Sequence, residues 1–184
     1  MSLTIVDFNN FWSPSGGGVR RYHLEKMNFY RYETDAVYVF VMPDSRTYTE
    51  QLTDSLIIEH VKAFKFPGKW EYRMLWKSSQ IAPILKRHKP DIIEVGSPYI
   101  LPTVVRKNAK KIVPRAKLLG FWHADFPITY VERPIAEKFG KKLGKLASQV
   151  AFAYARYEFK GFTGIQVSAE ETRLRLKRKG LPAH

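Results

Sequence analysis

The sequence predicts an α/β fold in which helices cover both faces of a parallel sheet. Short apolar runs rich in β-branched residues alternate along the chain with longer segments of helical spacing, as βαβ units require. Glycine, proline or polar residues follow most of these runs and end the strands. The 184 residues are 45% hydrophobic, which is enough for one well-packed domain spanning residues 1–184.

The predicted strands share a content of valine, isoleucine and aromatic side chains. They cover residues 3–8, 36–42, 55–61, 92–95, 118–122 and 161–167. Pro43-Asp44 ends the second strand, and Pro90-Asp91 introduces the fourth. We expect a loop through Pro67-Gly68 after the third strand.

The predicted helices lie between and after these strands. They cover residues 19–32, 70–89, 99–108, 134–160 and 169–179. The fourth is expected to break at Gly140 or Gly144. Ser168 is expected to cap the fifth, which Gly180 ends.

Three polar loops follow predicted strands, at residues 16–18, 96–98 and 123–125. In open parallel sheets, ligands bind beyond the carboxyl ends of the strands. We therefore expect the three loops to border one site.

The first of these loops contains Gly16, Gly17 and Gly18, directly before a predicted helix. Consecutive glycines allow φ > 0 and leave no Cβ between the backbone and a ligand. The helix start adds its positive dipole end, and Arg20 and Arg21 place two cations in its first turn, where they are unfavourable unless an anion compensates them. We expect a phosphate or another anion here; a plain strand-to-helix loop is the alternative.

Common nucleotide and metal motifs are missing from the sequence. The dinucleotide fingerprint fails because Arg21 occupies the position of its third glycine. Neither a Walker pattern nor a G-x-S-x-G elbow occurs. The chain has no cysteine, and its five histidines do not pair at helical spacing, so we expect no metal site and no cofactor.

His123 is the strongest candidate for chemistry. It ends an apolar strand at the predicted edge of the glycine turn, and Asp125 follows two residues later. A histidine at a strand end is as often a structural hydrogen-bonding residue, so both roles stay open.

The net charge is +14. Such a surface attracts nucleic acid, anionic lipid headgroups or phosphorylated small molecules. Nucleic acid is the less favoured partner, because the cations are spread over several elements and no RRM, KH or helix-turn-helix signature occurs.

Residues 138–145 interleave lysines with Phe139 and Leu143. This pattern is typical of a helix that lies on an anionic membrane. A surface helix whose apolar stripe packs on the sheet is the favoured alternative.

Asp7, Asn9 and Asn10 interrupt the apolar amino-terminal stretch, so no signal peptide is predicted. No apolar run has the length of a membrane span. Because the chain has no cysteine, we expect a cytoplasmic location, with peripheral binding at the inner face of the membrane as a further expectation.

Four segments together resemble the N-terminal half of glycosyltransferase family 4. They are, in the same order, residues 17–22 (Gly-Gly-Val-Arg-Arg-Tyr), 94–99 (Glu-Val-Gly-Ser-Pro-Tyr), 120–127 (Gly-Phe-Trp-His-Ala-Asp-Phe-Pro) and 167–170 (Val-Ser-Ala-Glu). Members of this family are retaining enzymes of the GT-B architecture, with two Rossmann-like domains facing across a cleft. The resemblance implies that the chain is the acceptor-side, Rossmann-like half of a hexosyltransferase of the mannose or glucose type.

The resemblance also implies roles for individual residues. Gly18 would lie near the diphosphate of a nucleotide-sugar donor or near the reacting sugar, together with Gly16, Gly17, Arg20 and Arg21. His123 would hydrogen-bond the transferred sugar, and Asp125 would assist an acceptor hydroxyl. The candidates for contacts with a lipid-linked, saccharide or phosphorylated acceptor are Asn9, Tyr22, Ser97, Tyr99 and Tyr130.

The family's C-terminal domain, which holds the nucleotide sugar and carries a Glu-x7-Glu motif, has no counterpart before His184. We therefore expect the C-terminal GT-B domain to be a partner absent from this chain, and this half to lack transferase activity alone.

Overall fold

A computed structural model describes residues 2–12, 17–65 and 72–184. Its strands are β1 (Thr4–Phe8), β2 (Val37–Asp44), β3 (Tyr48–Gln51), β4 (Leu56–Lys62), β5 (Phe64–Lys65), β6 (Arg73–Met74), β7 (Ile92–Val95), β8 (Lys117–Trp122) and β9 (Gly164–Val167). Its helices are α1 (Gly18–Glu33), α2 (Ser78–His88), α3 (Leu101–Ile112), α4 (Arg133–Phe139), α5 (Lys141–Glu158) and α6 (Glu170–Arg178). A π-helical segment, Pro127–Glu132, leads into α4.

Seven strands form the main sheet in the order β3-β4-β2-β1-β7-β8-β9. Strand β3 is antiparallel to β4, and the other pairs are parallel. Without the edge strand β3, this is the Rossmann strand order, in which the chain moves outward from β1 first to one side and then to the other. The fold is therefore a Rossmann-like α/β fold, as the sequence predicts.

Successive side chains of a strand point to opposite faces of the sheet, so the apolar residues form two clusters, one on each face. Val6 and Phe8 of β1 belong to the larger cluster, which α2, α3, α5 and α6 cover. Ile5 belongs to the smaller cluster, which includes Met27 of α1. Helices thus lie on both faces, and among the described helices only α1 contributes to the smaller cluster.

Six predicted strands are confirmed, and no end is shifted by more than three residues. The edge strand β3 was not predicted, because Tyr-Thr-Glu-Gln has no apolar alternation and all four residues are exposed.

The helix predicted over residues 70–89 is wrong in its first part. Arg73–Met74 is a strand paired with Phe64–Lys65, and α2 begins only at Ser78. The Arg73 guanidinium donates to the Ala63 carbonyl over 3.0 Å, and such a tertiary contact overrides local spacing. Trp70 and the predicted loop through Pro67-Gly68 lie outside the described residues.

The long helix predicted over residues 134–160 breaks at Gly140, where φ is 92°. Gly144 continues the helix instead. A Cβ at Gly144 would lie 2.6 Å from the Ala136 Cβ, so glycine at this position permits the close packing of α5 against α4.

Two further predictions are wrong. Ser168 does not cap α6, whose N-cap is Ala169, without a side-chain hydrogen bond. The prediction that the apolar side chains of residues 138–145 pack on the sheet is also wrong. Leu143 and Leu146 are exposed, whereas Gly144, Ser148 and Ala151 form part of the buried side of α5.

Candidate functional site

The candidate site lies at the carboxyl edge of the sheet, where β1, β7 and β8 end and α1 begins. Strands β1 and β7 are neighbours whose following connections leave in opposite directions, which makes this point the topological switch of the sheet. The loops at residues 17–18, 96–98 and 123–125 all lie at this edge, as predicted. Gly16 lies outside the described residues.

Polar side chains connect the loops after β1 and β7. The Asn10 N–H donates to Ser97 Oγ over 2.8 Å, and the Ser97 hydroxyl donates to Asn9 Oδ1 over 3.4 Å. Asn9 and Ser97 are completely buried. Their position indicates that they hold the loops together, and the predicted contacts with an acceptor stay a prediction.

Asn10 fixes a third segment against this edge. Its Oδ1 accepts from the Leu75 N–H over 2.8 Å, and its amide donates to the Leu75 carbonyl over 3.3 Å. The segment before α2 is thereby attached to the loop that follows β1.

His123 reaches the switch point from the end of β8 and contacts the loop after β7. A Cβ at Gly96 would lie 2.8 Å from His123 Nε2 and 3.0 Å from Asn9 Nδ2. Only glycine lets the imidazole approach the backbone of this loop so closely. The His123 Nε2 atom is buried and has no hydrogen-bond partner among the described residues.

Aromatic rings pack against the imidazole of His123 on the side away from Gly96. Its centroid lies 4.1 Å from that of Phe121, 5.6 Å from Tyr22 and 5.7 Å from His23. Tyr22 stacks on Phe121 at 4.3 Å. The first two turns of α1 and the end of β8 therefore form one wall.

The surroundings keep His123 neutral. Burial lowers the pKa of its imidazole to about 3, with a further contribution from the charge of His23, while Asp7 acts in the opposite direction. A neutral imidazole both donates and accepts hydrogen bonds, so it suits an uncharged hydroxyl better than it suits a phosphate.

A buried charged cluster lies behind this wall and consists of Asp7 on β1, Lys26 on α1 and Glu94 on β7. Lys26 Nζ lies 2.8 Å from Asp7 Oδ2 and 2.6 Å from Glu94 Oε2. The Tyr38 hydroxyl donates to Asp7 Oδ2 over 2.6 Å. The Tyr22 hydroxyl donates to Glu94 Oε1 over 3.4 Å. The cluster thus contacts a ring that packs on His123.

Asp7 and Glu94 titrate differently although they are partners in register. Burial alone would raise the pKa of Asp7, but the charges of Lys26 and His23 outweigh burial and hold it far below its usual range. Burial and the neighbouring Asp7 carboxylate raise the pKa of Glu94, and Lys26 only partly offsets them. Lys26 is held charged, because the two carboxylates outweigh burial and raise its pKa.

His23 joins the cluster to the loops. Its Nδ1 lies 3.4 Å from Asp7 Oδ2, and its Nε2 contacts the Asn9 amide nitrogen. One side chain of α1 therefore links the buried carboxylate to the buried loop after β1.

The glycine turn differs from the prediction in its backbone. Gly17 has φ −69°, and Gly18, the first residue of α1, is not among the glycines with positive φ. A Cβ at either position would have no atom within 4 Å. The described glycines therefore leave open space in front of the helix N-terminus.

The first turn of α1 carries no acidic residue, and no side chain of the described residues caps it. The Arg20 guanidinium lies 5.8 Å from the ring centroid of Trp12, and Arg21 is exposed. The first N–H groups of any helix have no partner within it. Two cations and these N–H groups thus lie at the start of α1, and the binding of an anion here stays a prediction.

Asp125 is engaged by α6. Its Oδ2 contacts Arg175, which also binds Glu171 over 2.6 Å. Burial raises the pKa of Asp125, although Arg175 opposes this effect. The carboxylate attaches the loop after β8 to α6, and its predicted role toward an acceptor hydroxyl stays a prediction.

Tyr99 and Tyr130 lie in a different part of the surface, an apolar groove of about 760 Å³ between the π-helical segment and α5. Tyr99 is nearer the switch point, because its ring is 5.9 Å from that of Phe11 in the loop after β1. Tyr130 is exposed. The structure therefore brings Tyr22, Ser97 and His123 together and leaves Tyr130 apart.

Sequence reasoning missed the buried residues that support the site, namely Asp7, His23, Lys26 and Glu94. Two signals were present. Asp7 and Glu94 are acidic residues inside otherwise apolar strands, and His23 and Lys26 are three residues apart on the helix that follows the glycine turn.

Within residues 2–12, 17–65 and 72–184, no group of three or more His, Asp or Glu side chains has an arrangement that could hold a metal ion. No helix in the same ranges has the length and apolar character needed to cross a bilayer.

Comparison with known proteins leaves the family open. No protein-family model matches the chain, and no curated protein matches its sequence.

Proposed function

We propose that this chain is the acceptor-side domain of a retaining glycosyltransferase of the GT-B architecture, which transfers a hexose from a nucleotide sugar. The proposal combines the resemblance of four segments to glycosyltransferase family 4 with the geometry at the switch point. It includes a second Rossmann-like domain as the partner that holds the nucleotide, and a cytoplasmic location.

The observation that carries the proposal is the buried Nε2 of His123 above Gly96, which has no hydrogen-bond partner within residues 2–12, 17–65 and 72–184. Leaving a buried polar atom without a hydrogen bond costs about 1–3 kcal/mol. A hydroxyl of a bound sugar is a suitable partner, because the imidazole is neutral.

The N-terminus of α1 supports the same chemistry. A departing nucleoside diphosphate needs stabilisation by positive charge, which a helix dipole, free N–H groups and arginines supply. Arg20 and Arg21 lie in the first turn of α1, and Tyr22 and His23, in the next turn, contact His123. Sugar and diphosphate could thus be bound at adjacent positions.

The buried cluster of Asp7, Lys26 and Glu94 acts as a positioning device in this proposal. It fixes α1 against β1 and β7 and so holds the rings of Tyr22 and His23 beside His123. None of its carboxylates is proposed to touch the substrate.

Saturation-transfer NMR with UDP-glucose, GDP-mannose and pyrophosphate tests the proposal. We expect the protein to transfer saturation to the hexose of at least one donor, and pyrophosphate to compete. Gly18→Val closes the open space before α1 and should abolish the effect, while His123→Ala should weaken it for the sugar protons. His184→Ala, at the chain end beside Ile165, serves as the histidine control.

The absence of saturation transfer from the protein to any donor would contradict the proposal, as would equal transfer in the wild type and in both site variants. The net charge of +14 favours a nucleic-acid-binding module as the second candidate. Oligonucleotide binding with a steep dependence on salt, together with no response to nucleotide sugars, would favour it.

A further inference from the structure

Helix α5 carries two apolar stripes, and the described part of the chain covers only one of them. Gly144, Ser148, Ala151, Phe152 and Ala155 form the buried stripe. The second stripe runs through Leu143, Leu146 and Val150, which are 55%, 60% and 65% exposed. A helix that packs only on its own domain needs one stripe, so the second indicates an external partner.

The preceding elements extend this exposed surface. Tyr130 of the π-helical segment and Phe139 at the end of α4 are also largely exposed. Together with Leu143, Leu146 and Val150 they form the α4–α5 apolar face. Ile135 and Ala147 line the groove beneath this face.

Lysines border the α4–α5 apolar face. Lys138, Lys141, Lys142 and Lys145 are all exposed, and Lys138 Nζ lies 5.3 Å from the ring centroid of Phe139. Residues 130–150 contain five lysines and arginines against two glutamates, a net charge of +3. The partner should therefore offer an apolar phase and negative charge at one boundary.

An anionic bilayer has this combination. Its headgroup region attracts clustered lysines, whose long stems let the charges stay at the interface while the neighbouring apolar side chains enter the acyl region. The backbone of α4 and α5 is already hydrogen-bonded within the helices, so the face can enter a phase that offers few hydrogen bonds. Exposed aromatic rings such as Tyr130 are typical of membrane interfaces.

We propose that the α4–α5 apolar face docks the protein on anionic membrane surfaces. This inference stands independently of the proposed donor site, since it uses none of the residues assigned to donor binding. The groove also contains Tyr99 and Phe126, which follow β7 and β8. Docking would therefore bring the carboxyl edge of the sheet close to the lipid headgroups.

Co-sedimentation of the full chain with vesicles tests this proposal. We expect binding to vesicles of phosphatidylcholine with phosphatidylglycerol, and at least tenfold weaker binding to phosphatidylcholine alone. The triple variant Leu143→Ser, Leu146→Ser, Val150→Ser should lose at least tenfold in affinity for the anionic vesicles. Its three positions are exposed, so circular dichroism should show a fold like that of the wild type.

A matched pair of charge variants distinguishes vesicle binding by the lysines of this face from binding due to the net positive charge of the whole protein. Replacing Lys138, Lys141, Lys142 and Lys145 by glutamine should reduce binding at least tenfold. Replacing Lys107, Lys110, Lys111 and Lys117, which are also exposed, removes the same charge elsewhere and should have a much smaller effect.

Leu146→Trp gives a further readout when its emission is compared with that of the wild type, which has four tryptophans, because a tryptophan entering the acyl region shifts its emission to the blue. No sedimentation with anionic vesicles would overturn the proposal, and equal losses in the two lysine variants would do the same. A dimer in sedimentation velocity that the triple serine variant converts to a monomer, without vesicle binding, would assign the face to a second copy.

Discussion

The two faces of the sheet are packed with different chemistry. On the face covered by α1, Asp7 and Glu94 are buried beside a small apolar cluster and pair with Lys26, whose side chain is 11% exposed. On the opposite face, α2, α3 and α5 bury a large apolar cluster, in which Leu85 is completely inaccessible. Both faces belong to the same strands, so the difference comes from the side chains alone.

The two faces of the sheet therefore have different roles. Apolar burial stabilises the fold without fixing the orientation of polar groups. The charged cluster, in contrast, ties α1 to two adjacent strands through specific contacts and lies directly behind the wall that holds His123. We interpret the α1 face as the one that positions the site and the opposite face as the one that holds the fold together.

The strongest test of this comparison is Lys26→Met. The variant leaves two buried carboxylates without their cation and should cost about 3–5 kcal/mol of the free energy of unfolding in urea. The loss should shrink as the pH falls, because the abandoned carboxylates become protonated. Lys142→Met, on the exposed side of α5, should change stability by less than about 0.5 kcal/mol. A loss below about 1 kcal/mol for Lys26→Met would mean that water replaces the lysine.

On the opposite face, Leu85→Ala should cost about 2–5 kcal/mol through lost burial and a cavity. The loss should be the same at neutral and mildly acidic pH, because it concerns apolar contacts. Exposed Leu143→Ala is the control, with an expected change below about 0.5 kcal/mol. A pH-dependent loss for Leu85→Ala would remove the distinction between the faces.

A third variant, Gly96→Ala, tests the contact between the loops at the switch point. The new Cβ would lie 2.8 Å from His123 Nε2, and we expect a loss of about 1–3 kcal/mol together with a shifted imidazole resonance of His123. Gly18→Ala, with no atom within 4 Å of its Cβ, should stay within about 0.5 kcal/mol of the wild type. Equal effects of the two substitutions would argue against a close approach of His123 to Gly96.

A further expected effect is a pH dependence of stability due to His123. Its pKa of about 3 in the folded protein is below the usual value of about 6.5 for the unfolded chain. The unfolded state therefore binds the proton more readily between these values. The contribution of the His123 imidazole to the free energy of unfolding is therefore fully present above about pH 6.5. It decreases as the pH falls toward 3, by at most about 1.4 kcal/mol per pH unit.

Urea titrations of the wild type and His123→Asn at several pH values measure this contribution. The wild type should have the steeper loss of stability on acidification. Parallel curves for the two proteins would show that the imidazole of His123 is not desolvated.

The strands of the parallel sheet were predictable because each is an apolar run bounded by proline, glycine or polar residues. The segment before α2 was not predictable, since Met74 and Leu75 continue the helical spacing. Its extended backbone is fixed by distant groups, Asn10 and Ala63, whose proximity follows only from the fold.

The position of the candidate site was predictable from the sequence, but the charged residues that support it were not. Parallel strands bring the loops with Gly18, Ser97 and His123 to one edge whatever their side chains are. The pairing of Lys26 with Asp7 and Glu94 depends on the register of β1 with β7 and on how α1 lies across them. In the sequence, each charged residue only interrupts the apolar pattern of its own strand. The register of the two strands is needed to show that Asp7 and Glu94 are neighbours.

The most direct test of the central claim is the imidazole ¹⁵N resonance of His123, followed during titrations with UDP-glucose and GDP-mannose. We expect Nε2 to respond saturably to at least one of them, and Gly18→Val to abolish the response. An Nε2 resonance that stays unchanged at saturating donor, in a protein whose fold is intact, would contradict the assignment of this edge to a nucleotide sugar.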